Sequence, residues 1–451
     1  MSFNNLHLPH LVAAGVVAAN MAWLQPLAAQ AVDQFAANLP APYATPSAMN
    51  FPEVIGWSKG KTPQAPEGLK VTSLIRDLEN PRWLYVLPNG DVLVAQSRTL
   101  PKPPKPEEEA AKPPAKKAED KVKDAGMKKT KTVTGDSPNR ITLLRDADGD
   151  GQPEVQETFL EGLNQPFGMV LVGETLFVAT TDAVTAYPYH EGDAKITAKG
   201  MKILDLPAGG YNNHWTRNII ANKEGTKLFI SVGSASNNAE YGTAEEMLRA
   251  NILECNPDGT SLRVFASGLR NPVGMAWNPA NGELWTAVNE RDELGDELVP
   301  DYITSVEDGG FYGWPYAYFG QHEDPRMKGQ RPDLVKKTLV PDVPLAAHTA
   351  SLGLTFYETQ TWKKPLPEKY FGGAFVGQRG SWNRSELVGY RVAFVPFKDG
   401  EPAGEAEGFL TGFIANENEV HGRPVGVAVA ADGSLLVADE PANIVWRVSA
   451  E

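Results

Sequence analysis

One unit recurs six times between Val71 and the last residues of the chain, and this repetition limits the fold more than any local signal does. Each copy has a polar residue, a short apolar stretch, an Asn/Asp/Glu/Gly turn and then a strand of the "LxVA" type. Asn80-Pro81-Arg82-Trp83 leads to "PNGDVLVAQ", and Gln165-Pro166-Phe167-Gly168 leads to "VGETLFVAT". His214-Trp215-Thr216-Arg217 leads to "KEGTKLFISVG", and Asn271-Pro272-Val273-Gly274 to "NGELWTAVNE". His348-Thr349-Ala350-Ser351 precedes "LGLTFY" and "GGAFVGQRG", and Arg423-Pro424-Val425-Gly426 leads to "ADGSLLVADE". Short alternating strands repeated at irregular intervals of about 50 to 85 residues suit blades with loop insertions of unequal length. The expected fold is therefore all-β, a six-bladed β-propeller over 71–451. A sandwich of similar strand content is the alternative, but it does not require the same strand in the same place.

Charge and cysteine content narrow the function classes. With 42 Lys+Arg against 56 Asp+Glu, a net −14, no basic half offers itself to nucleic acid or to an anionic membrane surface. The single cysteine, Cys255, excludes an intrachain disulfide framework and any multi-cysteine metal site. The apolar, Ala-rich run Leu11 to Ala29 ends at Ala29-Gln30-Ala31, a small-x-small cleavage pattern. Residues 1–31 are expected to be a signal peptide and 32–70 an N-terminal extension. A mature chain without an integral membrane span, in the periplasm or secreted, follows. Between Pro101 and Thr132 ten Lys face six Asp+Glu with almost no large apolar side chains, so 101–132 is expected to be a disordered Lys/Pro-rich excursion from the first blade.

Repeat-equivalent positions of a propeller converge on one central channel although they lie far apart in sequence. Gln165, His214, Arg270 with Asn271, His348 and Arg423 form such a ring. In "GQRGSWNR", Arg379 and Arg384 add two guanidiniums beside Trp382. An unpaired buried guanidinium costs several kcal/mol, so these arginines imply anions, supplied either by Asp and Glu or by a ligand. A flat anion lying on an aromatic face would satisfy all three. Separately, Asp146, Asp148, Asp150, Gly151 and Glu157 fall on positions 1, 3, 5, 6 and 12 of a Ca²⁺ loop, flanked by strands in place of the helices of an EF-hand.

The strings "SPNRITLLRDADGDG", "GLNQPFGM", "GLRNPVGMAWNP", "NERDELGDELVPDYITSV", "HTASLGLTFY", "GQRGSWNR" and "GRPVGVAVAADGSLLVAD" resemble the sorbosone dehydrogenase family, relatives of the soluble quinoprotein aldose dehydrogenases. The resemblance implies oxidation of a sugar hydroxyl or aldehyde hydrate, with pyrroloquinoline quinone (PQQ) accepting hydride and an unidentified periplasmic electron acceptor downstream. His214 in "NNHWTR" matches the general base, a role suited to imidazole near pH 7. Arg270 and Asn271 match residues that hold the cofactor and polarise its reactive carbonyl, and Arg379 stands where a second clamp is expected. Arg384 is a further candidate beside it, Trp382 enters the expected cofactor set as the aromatic face next to these arginines, and His348 and Arg423 enter it by repeat position only. The same resemblance places Ca²⁺ on the carbonyls of Asn289 and Glu290. Competing readings are a calcium-dependent propeller lactonase, which needs neither arginine clamp nor histidine base, and a non-catalytic interaction propeller, which needs no cofactor.

Overall fold

A computed structural model of the chain describes residues 27–101, 114–132, 135–358 and 362–451. Most of the expected signal peptide, 1–26, and part of the expected excursion, 102–113, lie outside the described residues. Leu27–Ala37 is helical and runs across the expected cleavage segment. Among the described residues no helix is long and apolar enough to cross a membrane.

Strands dominate, and twenty-four of them build six four-stranded antiparallel sheets. The first sheet holds Pro81–Val86, Val92–Gln96, Arg140–Arg145 and Val155–Leu160. The second to fifth open with Met169–Val172, Ile219–Ala221, Pro272–Trp277 and Ser351–Phe356 and follow sequence order across each sheet. The sixth holds Pro424–Val429, Leu435–Asp439, Ile444–Ala450 and, at its outer edge, the early strand Leu69–Ile75. Proline begins the first strand in three sheets, where the N–H it lacks need not join a ladder.

The "LxVA" segments of the repeat are the second strands. Val92–Gln96, Leu228–Val232, Leu284–Val288 and Leu435–Asp439 are buried at every position, so both faces of each are covered. That is why these strands read as apolar runs and not as simple alternation. Leu93, Ile141, Met169 and Leu176 join the first sheet to the second. Phe177, Val184, Ile219 and Ile230 join the second to the third, and Phe229, Ile252, Met275 and Tyr302 the third to the fourth. Trp285, Ile303, Leu354 and Val376 join the fourth to the fifth, and Phe375, Phe394, Val437 and Trp446 the fifth to the sixth. Leu84, Val94, Leu436 and Val445 then join the sixth back to the first. At about 1.5–3 kcal/mol for each large apolar side chain fully buried, these cyclic contacts carry most of the fold's stabilisation.

The expected excursion contains an ordered element. Pro114–Lys129 is a helix. Its alanines, lysines and Glu119 are good helix formers, and Glu119 and Lys123 pair at 3.4 Å one turn apart. A composition argument counts only the area that a segment buries against itself and misses what its neighbours offer. The stretch before the first sheet is also held down: Trp57 Nε1 donates to Asp439 at 2.8 Å, and Asn50 N donates to the Trp382 carbonyl at 2.8 Å.

Candidate functional site

A cavity of about 150 Å³ opens where loops from five of the sheets meet, and His214, Asn271, His348, Arg379, Trp382 and Arg82 line it. His214 sits in the loop before Ile219–Ala221. Arg217, fully buried, fixes that loop by donating to the carbonyls of His214 at 2.7 Å, Thr216 at 2.9 Å and Pro207 at 2.7 Å. Burial, aided by the neighbouring Arg249, pushes the Arg217 guanidinium down to about 9. His214 Nδ1 lies 2.9 Å from the Ser234 carbonyl oxygen and 3.0 Å from its hydroxyl. A carbonyl only accepts, so Nδ1 carries the proton and Nε2 presents a lone pair, 3.4 Å from Asn213 Nδ2.

Asn271 lies against His214 because the residue between them is Gly233. A Cβ on Gly233 would stand 2.2 Å from Asn271 Oδ1 and 2.5 Å from His214 Cβ. Asn271 Oδ1 is buried without a hydrogen-bond partner among the described residues. Such an atom in a cavity wall is a site for a donor or an electrophile on a ligand.

Opposite, positive charge exceeds negative. Arg82 Nη1 lies 2.7 Å from Glu440, which is fully buried, and Arg379 Nε pairs with the second oxygen of the same carboxylate. Behind them Arg423 donates to the carbonyls of Arg379 at 3.0 Å and Gly380 at 2.8 Å. Burial would raise the Glu440 carboxyl, but the charges of Arg379 and Arg82 outweigh it and hold the group well below the usual carboxylate range. Burial and the adjacent Arg379 lower Arg423 to about 10. Two guanidiniums thus share one carboxylate with a third close by, and the buried Arg82 Nε has no hydrogen-bond partner among the described residues.

His348 takes the left-handed backbone conformation, φ 66°, and both ring nitrogens face acceptors: Nδ1 lies 3.1 Å from Asp292 Oδ1 and Nε2 2.9 Å from the Gly295 carbonyl. Burial lowers its pKa, but the Asp292 hydrogen bond and charge with the Gly295 carbonyl raise it further, so the net direction is up. The imidazolium is the form this setting favours.

Other expected residues stand elsewhere. Arg270 does not line the cavity. Its Nη1 donates to the carbonyls of Asn289 at 3.0 Å and Glu290 at 2.6 Å, and its Nε and Nη2 donate to Asn237 at 3.0 and 2.8 Å. A guanidinium therefore already occupies the two carbonyls expected to take Ca²⁺. The Glu290 carboxyl is buried and pushed up to about 7, against the pull of Arg270. Arg384 lies outside the cavity, paired with Glu297 and donating to the Asp296 carbonyl at 2.6 Å. In the acidic loop Asp146, Asp148 and Asp150 gather with Glu154, their carboxylate oxygens within 4.8 Å of one another. Glu157 is not in that group, because the chain turns back as a hairpin and Glu157 pairs with Leu143 in a strand.

The sequence profile of the TrAA12-like family matches residues 140–304 and 328–450, more than half of the chain. The chain belongs to the TrAA12-like family. It is 27% identical over 200 residues to the aldose sugar dehydrogenase YliI of Escherichia coli K12, spanning 40% of this chain and 50% of that one. The chain thus spans about half the length of that curated relative. Among solved structures it is similar to the holo form of the pyranose dehydrogenase PQQ domain from Coprinopsis cinerea. That match has a TM-score of 0.67 at 18% identity and covers 88% and 100% of the two chains. The calcium structure of the Trichoderma reesei family AA12 enzyme gives 0.66 at 17% identity, covering 90% and 100%.

Within this TrAA12-like chain, sequence reasoning missed Arg82, Glu440 and Asp292. Arg82 and Glu440 stand in the quoted copies of the repeat, one residue beyond the first Pro81 and at the end of "VADE". A search for the acid demanded by clustered arginines in neighbouring copies would have found the pair.

Proposed function

We propose that this chain is a PQQ-dependent dehydrogenase oxidising a sugar hydroxyl or aldehyde hydrate, built as a six-bladed propeller and exported to the periplasm or beyond. The observation that carries the reading is the buried guanidinium charge: Arg82 and Arg379 line the same cavity as His214 and Trp382 and share the single carboxylate of Glu440, while Arg423, which does not line the cavity, donates to the Arg379 carbonyl. A planar tricarboxylate fits that donor set: arginine pairs with carboxylate in parallel hydrogen bonds and the Trp382 ring offers a face. Asn271 Oδ1, buried and unpartnered, is available to the same ligand. The family membership and the named activities of the E. coli and C. cinerea proteins support the same reading.

Bound in this cavity, the quinone supplies a two-electron acceptor. His214 Nε2 takes the hydroxyl proton of the sugar, a role made possible by the proton that Nδ1 keeps for the Ser234 carbonyl. Arg217 holds the His214 backbone in place, and the His348 imidazolium adds positive charge to the wall. Arg270 acts at one remove, by ordering the Asn289 and Glu290 carbonyls.

The T. reesei relative is titled a calcium structure, and calcium belongs to the proposal. The Asn289 and Glu290 carbonyls, held by Arg270, do not fit the ion as they stand. The Asp146, Asp148, Asp150 and Glu154 loop has the hard oxygen donors calcium prefers, on an exposed turn where its effect would be on stability.

Titration of the purified protein with PQQ, followed by absorbance, tests the reading. Saturable binding near one equivalent, with dye-linked oxidation of an aldose or sugar aldehyde, is the expected result. Absence of binding, or silence across a broad sugar panel with PQQ bound, refutes it.

A further inference from the structure

The helix Pro114–Lys129 and the turn after it contact two residues that line the cavity, Trp382 and Arg379. Lys123 Nζ stands 2.8 Å from Glu293 and 5.0 Å from the centroid of the Trp382 ring. Phe51 stacks on the same ring at 5.5 Å and 17°, and the helix meets Phe51 so closely at Gly126 that a Cβ there would lie 2.2 Å from Phe51 Cδ2. This is interlocked packing, beyond simple proximity. Past the helix end, the Thr132 hydroxyl accepts from Arg379 Nη2 at 3.0 Å and from Arg423 Nη1 at 3.3 Å, while its second contact is Thr130 Oγ1 at 2.9 Å.

We infer that this helix and the turn ending at Thr132 form a displaceable wall, whose Lys123 and Thr132 make the contacts an acidic planar ligand would make with Trp382, Arg379 and Arg423. At Arg379 Nη2 and Arg423 Nη1 the acceptor they share is a neutral hydroxyl. A carboxylate arriving on the same pair gains charge-assisted hydrogen bonds that Thr132 does not provide, so exchange is downhill once the helix has moved. Displacement of Lys123 uncovers the Trp382 ring. The apparent affinity for the ligand is therefore its intrinsic affinity multiplied by the fraction of molecules with the wall open.

The ligand arm of the test rests on the dehydrogenase reading, and the labelling arm does not. Two variants are compared with the wild type: one with residues 114–132 replaced by a Gly/Ser linker of equal length, and the double variant Lys123→Ala/Thr132→Ala, which keeps the chain intact should the first fail to fold. Hydroxyl-radical labelling read by peptide mass spectrometry is expected to rise severalfold at Trp382 in both, with the core residue Trp446 unchanged. PQQ, titrated by absorbance, is expected to bind about tenfold tighter to both than to the wild type. Unchanged Trp382 labelling, or weaker PQQ binding by the variants, overturns the inference. If PQQ binds none of the three proteins, the dehydrogenase reading fails while labelling still decides whether the wall exists.

Discussion

Arg82 and Glu440 form a 2.7 Å ion pair in which the carboxylate is fully buried and the guanidinium nearly so. The two residues come from the first and sixth sheets, and Arg379 of the fifth shares the same carboxylate. Glu440 is thus a hub that joins three sheets and fixes the two guanidiniums facing the cavity.

Replacing Glu440 with Gln leaves Arg82, Arg379 and Arg423 facing one another without a counter-charge. Breaking a buried pair in this way costs about 3–5 kcal/mol, so denaturant unfolding of E440Q is expected to show a loss on that scale, partly recovered by PQQ. A loss below about 1 kcal/mol, the level of a surface pair, would show that the hub is not what holds the three sheets. The pH sign is also fixed. The Glu440 pKa is depressed in the fold, so its contribution is present above the unfolded carboxyl value and disappears as pH falls through the lower folded one.

His214→Ala removes the base while leaving the guanidiniums and Trp382 in place. Turnover is expected to fall by about 10² or more with PQQ affinity little changed. An equal loss of both would assign His214 to ligand binding.

His348 titrates in the opposite sense to Glu440. Its pKa is raised in the fold, so the stability it contributes is complete below the unfolded histidine value of about 6.5 and is lost as pH climbs through the folded one. Melting temperatures followed from pH 6 to 9 should therefore fall more steeply for the wild type than for His348→Gln. Parallel curves would mean that the imidazolium bound to Asp292 contributes nothing.

Calcium at about 1 mM, within the range of extracellular sites, is expected to raise the melting temperature of the wild type and not that of Asp148→Asn/Asp150→Asn. Magnesium at the same concentration serves as the control. An equal response of both proteins to calcium would exclude the acidic loop as the site.

The repeat was legible because every copy keeps a second strand buried on both faces, which writes a continuous apolar run into the sequence at Val92–Gln96, Leu228–Val232 and the equivalent strands. His214, Asn271, Arg379, Trp382 and His348 could be placed near one cavity because they stand at the loop ends of that repeat. Arg270 shows where the argument stops: its residue type and position fit a ligand clamp, yet whether a guanidinium faces a ligand or a backbone depends on carbonyls nineteen and twenty residues away. The helix at Pro114–Lys129 was hidden for a related reason, since Phe51, Glu293, Arg379 and Trp382, which hold it, are distant in sequence and invisible to composition.

The strand Leu69–Ile75 pairs along its length with Ile444–Ala450. A sheet that draws its outer strand from before the first sheet and its other three from beyond the fifth closes only after Ile444–Ala450 has been made. Until then the five other sheets stand with the apolar faces of the first and fifth uncovered. Loss of Ile444–Ala450 would leave Leu69–Ile75 without its paired strand and take Trp446 from the layer it forms with Phe375, Phe394 and Val437, uncoupling the sixth sheet from the fifth.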